Sequence, residues 1–312
     1  MTPKLPYTIG IDGGGTRCRG RLRNINGKIL AEDEAGSANV HLNFLDSITT
    51  IKILIGNLLR KAEISAIEHT EISLGLGLAG ILASGDEHRV ANEFLDFGRV
   101  IVASDAVAAC IGAHGDCDGG LVIAGTGTAG LARLKGKAIS IGGRGFALGD
   151  DGSGARIGWD ALRQALLAAD GLRDHTQLTR RVMARFGNDS LAITRWSLSA
   201  KSGDYASFAP IVFDFANNGD DVALPIIKDA AKAIHALALA VSALGVTNIA
   251  LVGGISGAIS PYLSQNSKFD IVKPERDPID GVIMLAGGIL HDPAILMKSN
   301  ESSAISLKIR KA

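Results

Sequence analysis

The stretch that decides the fold is YTIGIDGGGTRCRGRL, residues 7–22. Its first five residues are apolar or small, which predicts a buried strand running into Asp12. After three glycines and Thr16, small or apolar residues alternate with arginines as far as Arg23. This period of two predicts a second strand with one face buried and an arginine face in water. The pattern is a strand, a glycine-rich turn and a strand, which differs from the strand–turn–helix of a dinucleotide site and from the Gly-x-x-x-x-Gly-Lys-Ser/Thr phosphate loop.

The residues of this turn favour an anion together with a metal ion. Gly13, Gly14 and Gly15 allow backbone N–H groups to crowd around an anion, and the hydroxyl of Thr16 adds a donor. The carboxylate of Asp12 would repel a bare phosphate, but it suits a phosphate whose charge is shared with Mg²⁺. A tight hairpin without any ligand is the alternative at this stage.

Composition limits the classes of protein to consider. The chain has 312 residues, enough for two domains, with 46% hydrophobic and 21% charged residues and a formal net charge of zero. No basic stripe is present and aromatic residues are few, so we expect no nucleic-acid partner. The three cysteines lack disulfide or metal spacing, no signal peptide is recognisable, and no apolar run approaches roughly 18 residues. We therefore expect a cytoplasmic protein without a membrane partner.

The first half of the chain then reads as helices and buried strands. Apolar residues at helical spacing predict a helix over residues 46–62, capped by Asp46 or Ser47. Asn39 closes a polar loop, where an Asn usually serves turn chemistry. An apolar strand is expected over residues 72–78, and a helix over residues 86–97.

Another buried strand, residues 100–103, leads into Asp105. Ligands of open α/β sheets bind at the edge where parallel strands end, which makes this carboxylate a candidate for chemistry. Asp is also a common helix N-cap, and a cap is the alternative interpretation.

The second half repeats the order of the first. A strand over residues 120–124 runs into Gly125, Thr126, Gly127 and Thr128, and two further strands follow, the second over residues 138–141. Two such copies predict duplicated domains. The glycines here also match Gly-x-Gly-x-x-Gly, but a turn follows too soon for the helix that a dinucleotide site needs, so we reject that interpretation.

Two more glycine-rich segments are candidates for ligand contact. In residues 142–154 we expect Ser153 to cap a helix, Asp151 to favour its N-terminus and Asp150 to be a ligand candidate. A strand over residues 248–252 runs into Gly253 and Gly254, where a flat nucleoside could lie on the backbone. Residues 172–218 read as helical without a site signal, and further helices are expected over residues 221–244 and 282–290.

These motifs together resemble the actin, heat-shock ATPase and sugar-kinase superfamily. The first and second phosphate motifs are similar to Ile11–Thr16 and to Ser104–Ala106 with Ala124–Thr128, and the adenosine motif to Leu251–Gly254. The fine pattern resembles the N-acetylglucosamine and glucosamine kinases of the BadF/BadG-type ATPase family. That resemblance implies an α/β fold of two duplicated actin-like, ribonuclease H-like domains with a central cleft.

The resemblance also implies an activity, which is ATP-dependent phosphorylation of the 6-hydroxyl of N-acetylglucosamine or glucosamine. Asp105 would be the general base, and Asp12 would hold Mg²⁺ through water. The nucleotide would contact the two glycine and threonine turns and the turn at residues 253–254. The sugar would be lined by Asn39, Asp105, Gly143, Arg144 and Asp150. The family often has Trp at the position of Arg144, which leaves open the choice between the amino sugar and its N-acetyl form.

The expected domains are residues 1–115 and 116–290, with a helical insertion at about 171–220 and a segment at about 291–312 that packs back on the first domain. A homodimer is a family expectation. Two alternatives stay open: an ATPase activator of the same fold, whose iron–sulfur cluster would need clustered cysteines, and a nucleotide-dependent sugar sensor without catalysis.

Overall fold

A computed structural model describes residues 5–64, 67–81, 85–264 and 268–288. The described residues divide into two compact units. The first contains residues 5–119, 133–138 and 273–288, and the second contains residues 120–132 and 139–272. Among the described residues, no helix combines the length and apolar character needed to cross a membrane.

Both units contain strands and helices, and we number them in chain order. The described strands are β1 Tyr7–Gly13, β2 Cys18–Asn24, β3 Ile29–Ala35, β4 Ile72–Leu78, β5 Arg99–Ser104, β6 Gly119–Ala124, β7 Thr128–Leu134, β8 Lys137–Gly142, β9 Asn248–Val252 and β10 Asp270–Val272. The described α-helices are α1 Phe44–Lys61, α2 Asp86–Ala91, α3 Asp105–His114, α4 Gly154–Ala169, α5 Gln177–Ala184, α6 Ser190–Ser197, α7 Ser202–Ala206, α8 Ala209–Asn217, α9 Ala223–Ser242, α10 Ser256–Ile259 and α11 Pro278–Leu285.

The two sheets have the same strand order. The first sheet is ordered β3-β2-β1-β4-β5, with β1, β2 and β3 antiparallel and β1, β4 and β5 parallel. The second is ordered β10-β9-β6-β7-β8. Taken in the opposite direction, this is the order of the first sheet, with strands β6 to β10 in the places of β1 to β5. The predicted duplication and the α/β class are confirmed. β7 begins at Thr128, inside the Gly-x-Gly-x-x-Gly match, so a strand lies where a dinucleotide site needs a helix and the rejection of such a site is confirmed as well.

The core of the first unit explains the position of α1. Its apolar face, which includes Ile51, Leu54 and Leu58, is buried in one cluster with Ile9 and Leu74 of the sheet. The predicted cap was wrong. Asn43 precedes the helix in extended conformation, and its side chain accepts the N–H of Asp46 at 3.3 Å. The helix predicted over residues 86–97 is shorter, because α2 ends at Ala91 and passes into a 3₁₀ turn.

Helix α11 lies in the first unit and begins earlier than predicted. Asp277 caps it and Pro278 follows, which is a usual place for Pro. A Cβ at Gly75 of β4 would lie 2.6 Å from the backbone O of Val282, so only glycine allows this close approach of helix and sheet.

Residues 273–288 pack with the N-terminal unit, although we expected them within the second domain, residues 116–290. The domain boundaries themselves stay predictions, and residues 291–312 lie outside the described residues.

The same helix covers the arginines of β2. Arg21 contacts Asp277 at 2.9 Å and Asp280 at 2.7 Å, and Arg23 contacts Asp280 at 2.8 Å. The side chain of Arg21 is only 12% exposed. The prediction of an arginine face in water was wrong, because the acidic partners come from a helix more than 250 residues further along the chain.

The second unit adds helices α5 to α8 between α4 and α9, where we predicted a helical insertion. Trp196 and Phe208 pack edge to face at 5.8 Å between ring centroids, and Phe208 is buried. The two rings therefore belong to an aromatic cluster of the second unit. The predicted cap of α4 is also confirmed, since Ser153 accepts the N–H of Arg156 at 3.1 Å.

Candidate active site

In the first unit, Asp12 and its turn lie at the end of β1. Gly14 donates its N–H to the backbone O of Arg17 at 2.9 Å, which closes the turn. Thr16 is exposed. The carboxylate of Asp12 accepts a hydrogen bond from Arg19 at 2.6 Å and is 17% exposed. The turn therefore presents an exposed hydroxyl next to a carboxylate that one arginine already neutralises.

Asp105 is the first residue of α3, and it is not the cap of that helix. Ser104 occupies the cap position, and its hydroxyl accepts the N–H of Val107 at 3.3 Å. Asp105 accepts the N–H of Ala106 at 2.8 Å. Burial raises the pKa of Asp105, and the negative charge of Asp12 raises it further. The cap interpretation is thus wrong, and the fold holds an acidic side chain where ionisation is disfavoured.

The register of the sheet accounts for this proximity. Asp12 of β1 lies opposite Gly77 of β4, and Gly77 lies opposite Ala103 of β5. Asp105 follows two residues later. Both carboxylates therefore occur at the same edge of the first sheet, where its parallel strands end.

The loop of Asn39 is tied to this edge. Its neighbour Ala38 donates its N–H to the O of Gly14 at 3.0 Å, and Val40 donates its N–H to the O of Ala79 at 3.1 Å. Asn39 uses its carbonyl oxygen to accept two backbone N–H groups of the following residues, each at 3.1 Å. The turn role of Asn39 is confirmed, and a contact of its amide group with a sugar stays a prediction.

In the second unit, the turn of residues 125–128 joins the start of α4. Gly154 donates its N–H to the O of Gly125 at 2.8 Å, and Ala155 donates its N–H to the O of Thr126 at 3.2 Å. Thr126 is exposed. Thr128 is buried, and its hydroxyl donates to the O of Asp151 at 3.0 Å. Of the two predicted threonines, Thr126 has the more accessible hydroxyl.

Asp150 reaches the same turn from the glycine-rich loop. Its backbone is left-handed, with φ of 61°, which is uncommon for a residue other than glycine. Its carboxylate accepts the N–H of Thr128 at 3.3 Å, and a Cβ at Gly127 would lie 2.8 Å from it. Burial raises the pKa of Asp150. In the same loop Gly143 donates its N–H to the O of Thr128 at 3.2 Å.

Arg144 lies on the exposed part of this loop. No ion pair of Arg144 occurs among the described residues. Its guanidinium is therefore available for a ligand, although its predicted role in the sugar site stays a prediction.

The turn after β9 contains two glycines with different reasons for being glycine. Gly253 has φ of 105°, and a Cβ there would lie 2.4 Å from the O of Ala124. Gly254 has no such constraint, because a Cβ would meet no described atom within 4 Å, and the same is true of Gly15. The fold therefore requires glycine at position 253, whereas no contact of the described residues requires it at positions 15 and 254. Open space beside a backbone is what a bound ligand requires.

The donor set fits the expected ATP and Mg²⁺. Among the described residues, no group of three or more His, Cys, Asp or Glu side chains could enclose a metal ion. Mg²⁺ in nucleotide sites is usually held by one or two carboxylates together with waters and phosphates, so the partly exposed Asp12 suits it. The sequence did not lead us to Arg19 as the partner of Asp12. Its alternating position in β2 was the only sign of it.

Comparisons with known proteins agree with this architecture. Residues 9–286 match the BadF/BadG/BcrA/BcrD ATPase family. The chain is 37% identical to glucosamine kinase GspK of Vibrio cholerae, over 92% of this chain and 98% of that protein. It is 30% identical to N-acetyl-D-glucosamine kinase of Dictyostelium discoideum, over 89% of this chain and 97% of that protein.

A solved structure shows the same fold. It is a protein from Chromobacterium violaceum with a provisional assignment as an N-acetylglucosamine kinase, 31% identical, with a TM-score of 0.83. The match covers 91% of this chain and all of that one. The family match spans most of the chain, and the turns described above carry the motifs that predicted it. The protein is therefore a member of the BadF/BadG/BcrA/BcrD ATPase family.

Proposed function

We propose that this protein is a sugar kinase that transfers the γ-phosphoryl group of ATP to the 6-hydroxyl of glucosamine or N-acetylglucosamine. The observation that carries the proposal is Asp105, a carboxylate with a raised pKa that caps no helix and lies at the same sheet edge as Asp12. The names of the two relatives support an amino sugar as the acceptor.

The proposed nucleotide contacts include turns of each unit. In the first unit, the backbone N–H groups of residues 13–15 and the hydroxyl of Thr16 would hold phosphate oxygens. In the second unit, residues 125–128 would do the same through backbone N–H groups and the hydroxyl of Thr126. The adenosine would lie against Gly253 and Gly254, where the backbone is exposed. When bound, Mg²⁺ would neutralise phosphate charge, with Asp12 holding it through water.

The reaction needs one proton acceptor and one leaving group. Asp105 accepts the proton of the sugar 6-hydroxyl, and the hydroxyl oxygen forms a bond to the γ-phosphorus. The bond from that phosphorus to the β,γ-bridging oxygen breaks, and ADP leaves with the electron pair. General-base assistance of this kind contributes about 10²- to 10⁴-fold to the rate. A raised pKa suits Asp105 to this role, because the proton must be accepted near neutral pH.

The sugar would be held by Asn39 and Asp105 of the first unit and by Gly143, Arg144 and Asp150 of the second. Asp150 is a suitable hydrogen-bond acceptor for sugar hydroxyls, since one oxygen of its carboxylate bonds Thr128 and the other is not used by a described hydrogen bond. Arg144 determines which 2-substituent is preferred, because a guanidinium donates to the carbonyl of an N-acetyl group and repels an ammonium group.

A coupled assay of ADP release tests the proposal. The acceptors are glucosamine, N-acetylglucosamine, N-acetylmannosamine and glucose, and NMR of the product locates the phosphate. We expect turnover with at least one of the two glucosamine acceptors and phosphate on oxygen 6. ADP release that is independent of sugar would instead support the ATPase-activator alternative. Sugar and nucleotide binding without turnover would support a sensor.

A further inference from the structure

One row of the first sheet places three charged residues side by side. Arg19 of β2 lies opposite Asp12 of β1 on one side and opposite Glu34 of β3 on the other. Residues directly opposite each other in antiparallel strands point to the same face, with Cβ atoms about 4.5–5.5 Å apart. The guanidinium of Arg19 thus has a carboxylate on each side.

Only one of the two carboxylates is used. Arg19 contacts Asp12 at 2.6 Å, whereas Glu34 is exposed and takes part in none of the ion pairs within the described ranges. Arg19 and Glu34 both line a cavity of about 290 Å³ on this part of the sheet. The guanidinium therefore has space to turn from one partner to the other.

The next row shows that this freedom is particular to Arg19. Arg21 lies opposite Glu32, and it contacts that residue at 2.7 Å. It also contacts Asp277 and Asp280 of the α11 start, so its guanidinium is held from several sides. Among the described residues, the one ion pair of Arg19 is the pair with Asp12.

We propose that Arg19 is a positioning residue that neutralises Asp12 while the metal is absent and pairs with Glu34 when Asp12 takes up hydrated Mg²⁺. The inference rests on the proposed function. Two cations next to one carboxylate repel each other, so Mg²⁺ at Asp12 favours departure of the guanidinium. Glu34 provides an acceptor within reach and keeps the arginine paired. The three residues Asp12, Arg19 and Glu34 therefore couple the binding of Mg²⁺ to the position of the Arg19 side chain.

The quantity to measure is the Mg²⁺ dependence of ADP binding, with ADP used so that no turnover occurs. Calorimetry gives the dissociation constant in EDTA and in excess Mg²⁺, and their ratio is the coupling. In Arg19→Gln we expect the ratio to rise about tenfold, within the usual range of coupling factors, because a bare Asp12 repels metal-free ADP and attracts the metal. In Glu34→Gln we expect the ratio to fall several-fold, because Arg19 then has no second partner and stays on Asp12.

Two further variants make the test specific. Arg19→Lys keeps the charge, so its ratio should stay near that of the wild type. Glu32→Gln removes an equivalent carboxylate from the neighbouring row, and its ratio should stay unchanged. Melting curves establish that each variant is folded.

An unchanged ratio in Arg19→Gln overturns the inference, as does a change of the same sign in Arg19→Gln and Glu34→Gln. A different result separates the two proposals. If wild-type protein binds no ADP even with Mg²⁺, the proposed function itself fails. If it binds ADP with a metal dependence that neither variant alters, only the role of Arg19 fails.

Discussion

At the scale of single residues, the ionised side chain of Asp105 lowers the stability of the folded protein. Burial and the charge of Asp12 both raise its pKa, which means that the folded protein disfavours the ionised carboxylate relative to the unfolded chain. The hydrogen bond from Ala106 offsets this only in part. A side chain kept in such a place is a candidate for function, since structural needs alone would favour a neutral residue.

Substituting Asp105 should separate activity from stability. In Asp105→Asn we expect turnover to fall about 10²- to 10⁴-fold, because the proton acceptor is lost. We expect the melting temperature at neutral pH to rise, because a buried charge is removed. The ADP-release assay and calorimetric melting measure the two effects. Near-normal turnover in a folded Asp105→Asn protein would contradict the role of Asp105 as the general base.

The control for this variant is the adjacent residue. Ser104→Ala removes the cap of α3 and should lower the free energy of unfolding by about 1 kcal/mol. If Asp105→Asn destabilised the protein as much as Ser104→Ala, the assignment of Asp105 to catalysis instead of helix structure would be contradicted.

The pH dependence follows from the raised pKa of Asp105. A general base works only when ionised, so kcat/KM should fall as the pH is lowered. Because the pKa is raised, this fall should begin at a higher pH than it would for an unperturbed aspartate, whose pKa is about 3.9.

The contribution of Asp105 to stability has the opposite dependence on pH. The contribution of Asp105 is fully present below its pKa in the unfolded chain and is lost as pH rises through its pKa in the folded protein. The melting temperature of Asp105→Asn should therefore exceed that of the wild type by a margin that grows over this window. A margin independent of pH would contradict the raised pKa.

At the scale of secondary-structure elements, the turn after β9 supports a paired test. Gly254→Val should leave the unfolding free energy within about 0.5 kcal/mol, because a Cβ there would meet no described atom within 4 Å. It should raise the KM for ATP roughly tenfold or more if adenosine lies there. Gly253→Ala should instead destabilise the protein, since a Cβ would lie 2.4 Å from the O of Ala124. Denaturant unfolding and ATP titration of both variants distinguish the roles, and an unchanged KM in Gly254→Val would contradict the adenosine contact.

The elements themselves were largely predictable, because their signals are local. Alternation after Thr16 and the apolar run over residues 72–78 identify strands without any distant information. The environment of Arg21 was not predictable in this way, since its partners are Asp277, which caps α11, and Asp280 in the first turn of that helix. The start of α11 did have a local signal, Asp277 followed by Pro278, which the helix predicted over residues 282–290 missed.

The residues of the candidate site were also predictable as separate motifs. The turns at residues 12–16, 125–128 and 253–254 each follow a buried strand, which local sequence shows. The pairing of Asp12 with Arg19 depends on strand register, and the hydroxyl of Thr128 is used by the backbone of Asp151. Both are tertiary facts that a motif does not contain.

At the scale of the whole molecule, the same strand order occurs twice, and each copy carries one candidate phosphate turn. If both turns serve one nucleotide, Mg²⁺-ADP should slow amide hydrogen exchange in residues 13–17 and also in residues 125–128 and 253–255. Helices α5 to α8 serve as an internal control whose exchange should not change. Exchange measured by mass spectrometry reports both units in one experiment. Protection confined to one unit would contradict the division of nucleotide contacts.

The contact of Asp150 with Gly127 has a consequence for how this sequence could drift. Asp150 holds a backbone angle that glycine adopts with less strain, and it fits only because Gly127 has no side chain. Asp150 is acceptable only while position 127 is glycine: a larger residue at 127 would expel the carboxylate, while loss of the carboxylate would release position 127 from its constraint. We expect strong epistasis between these two sites, so that mutational paths through this loop depend on the order in which the two positions change.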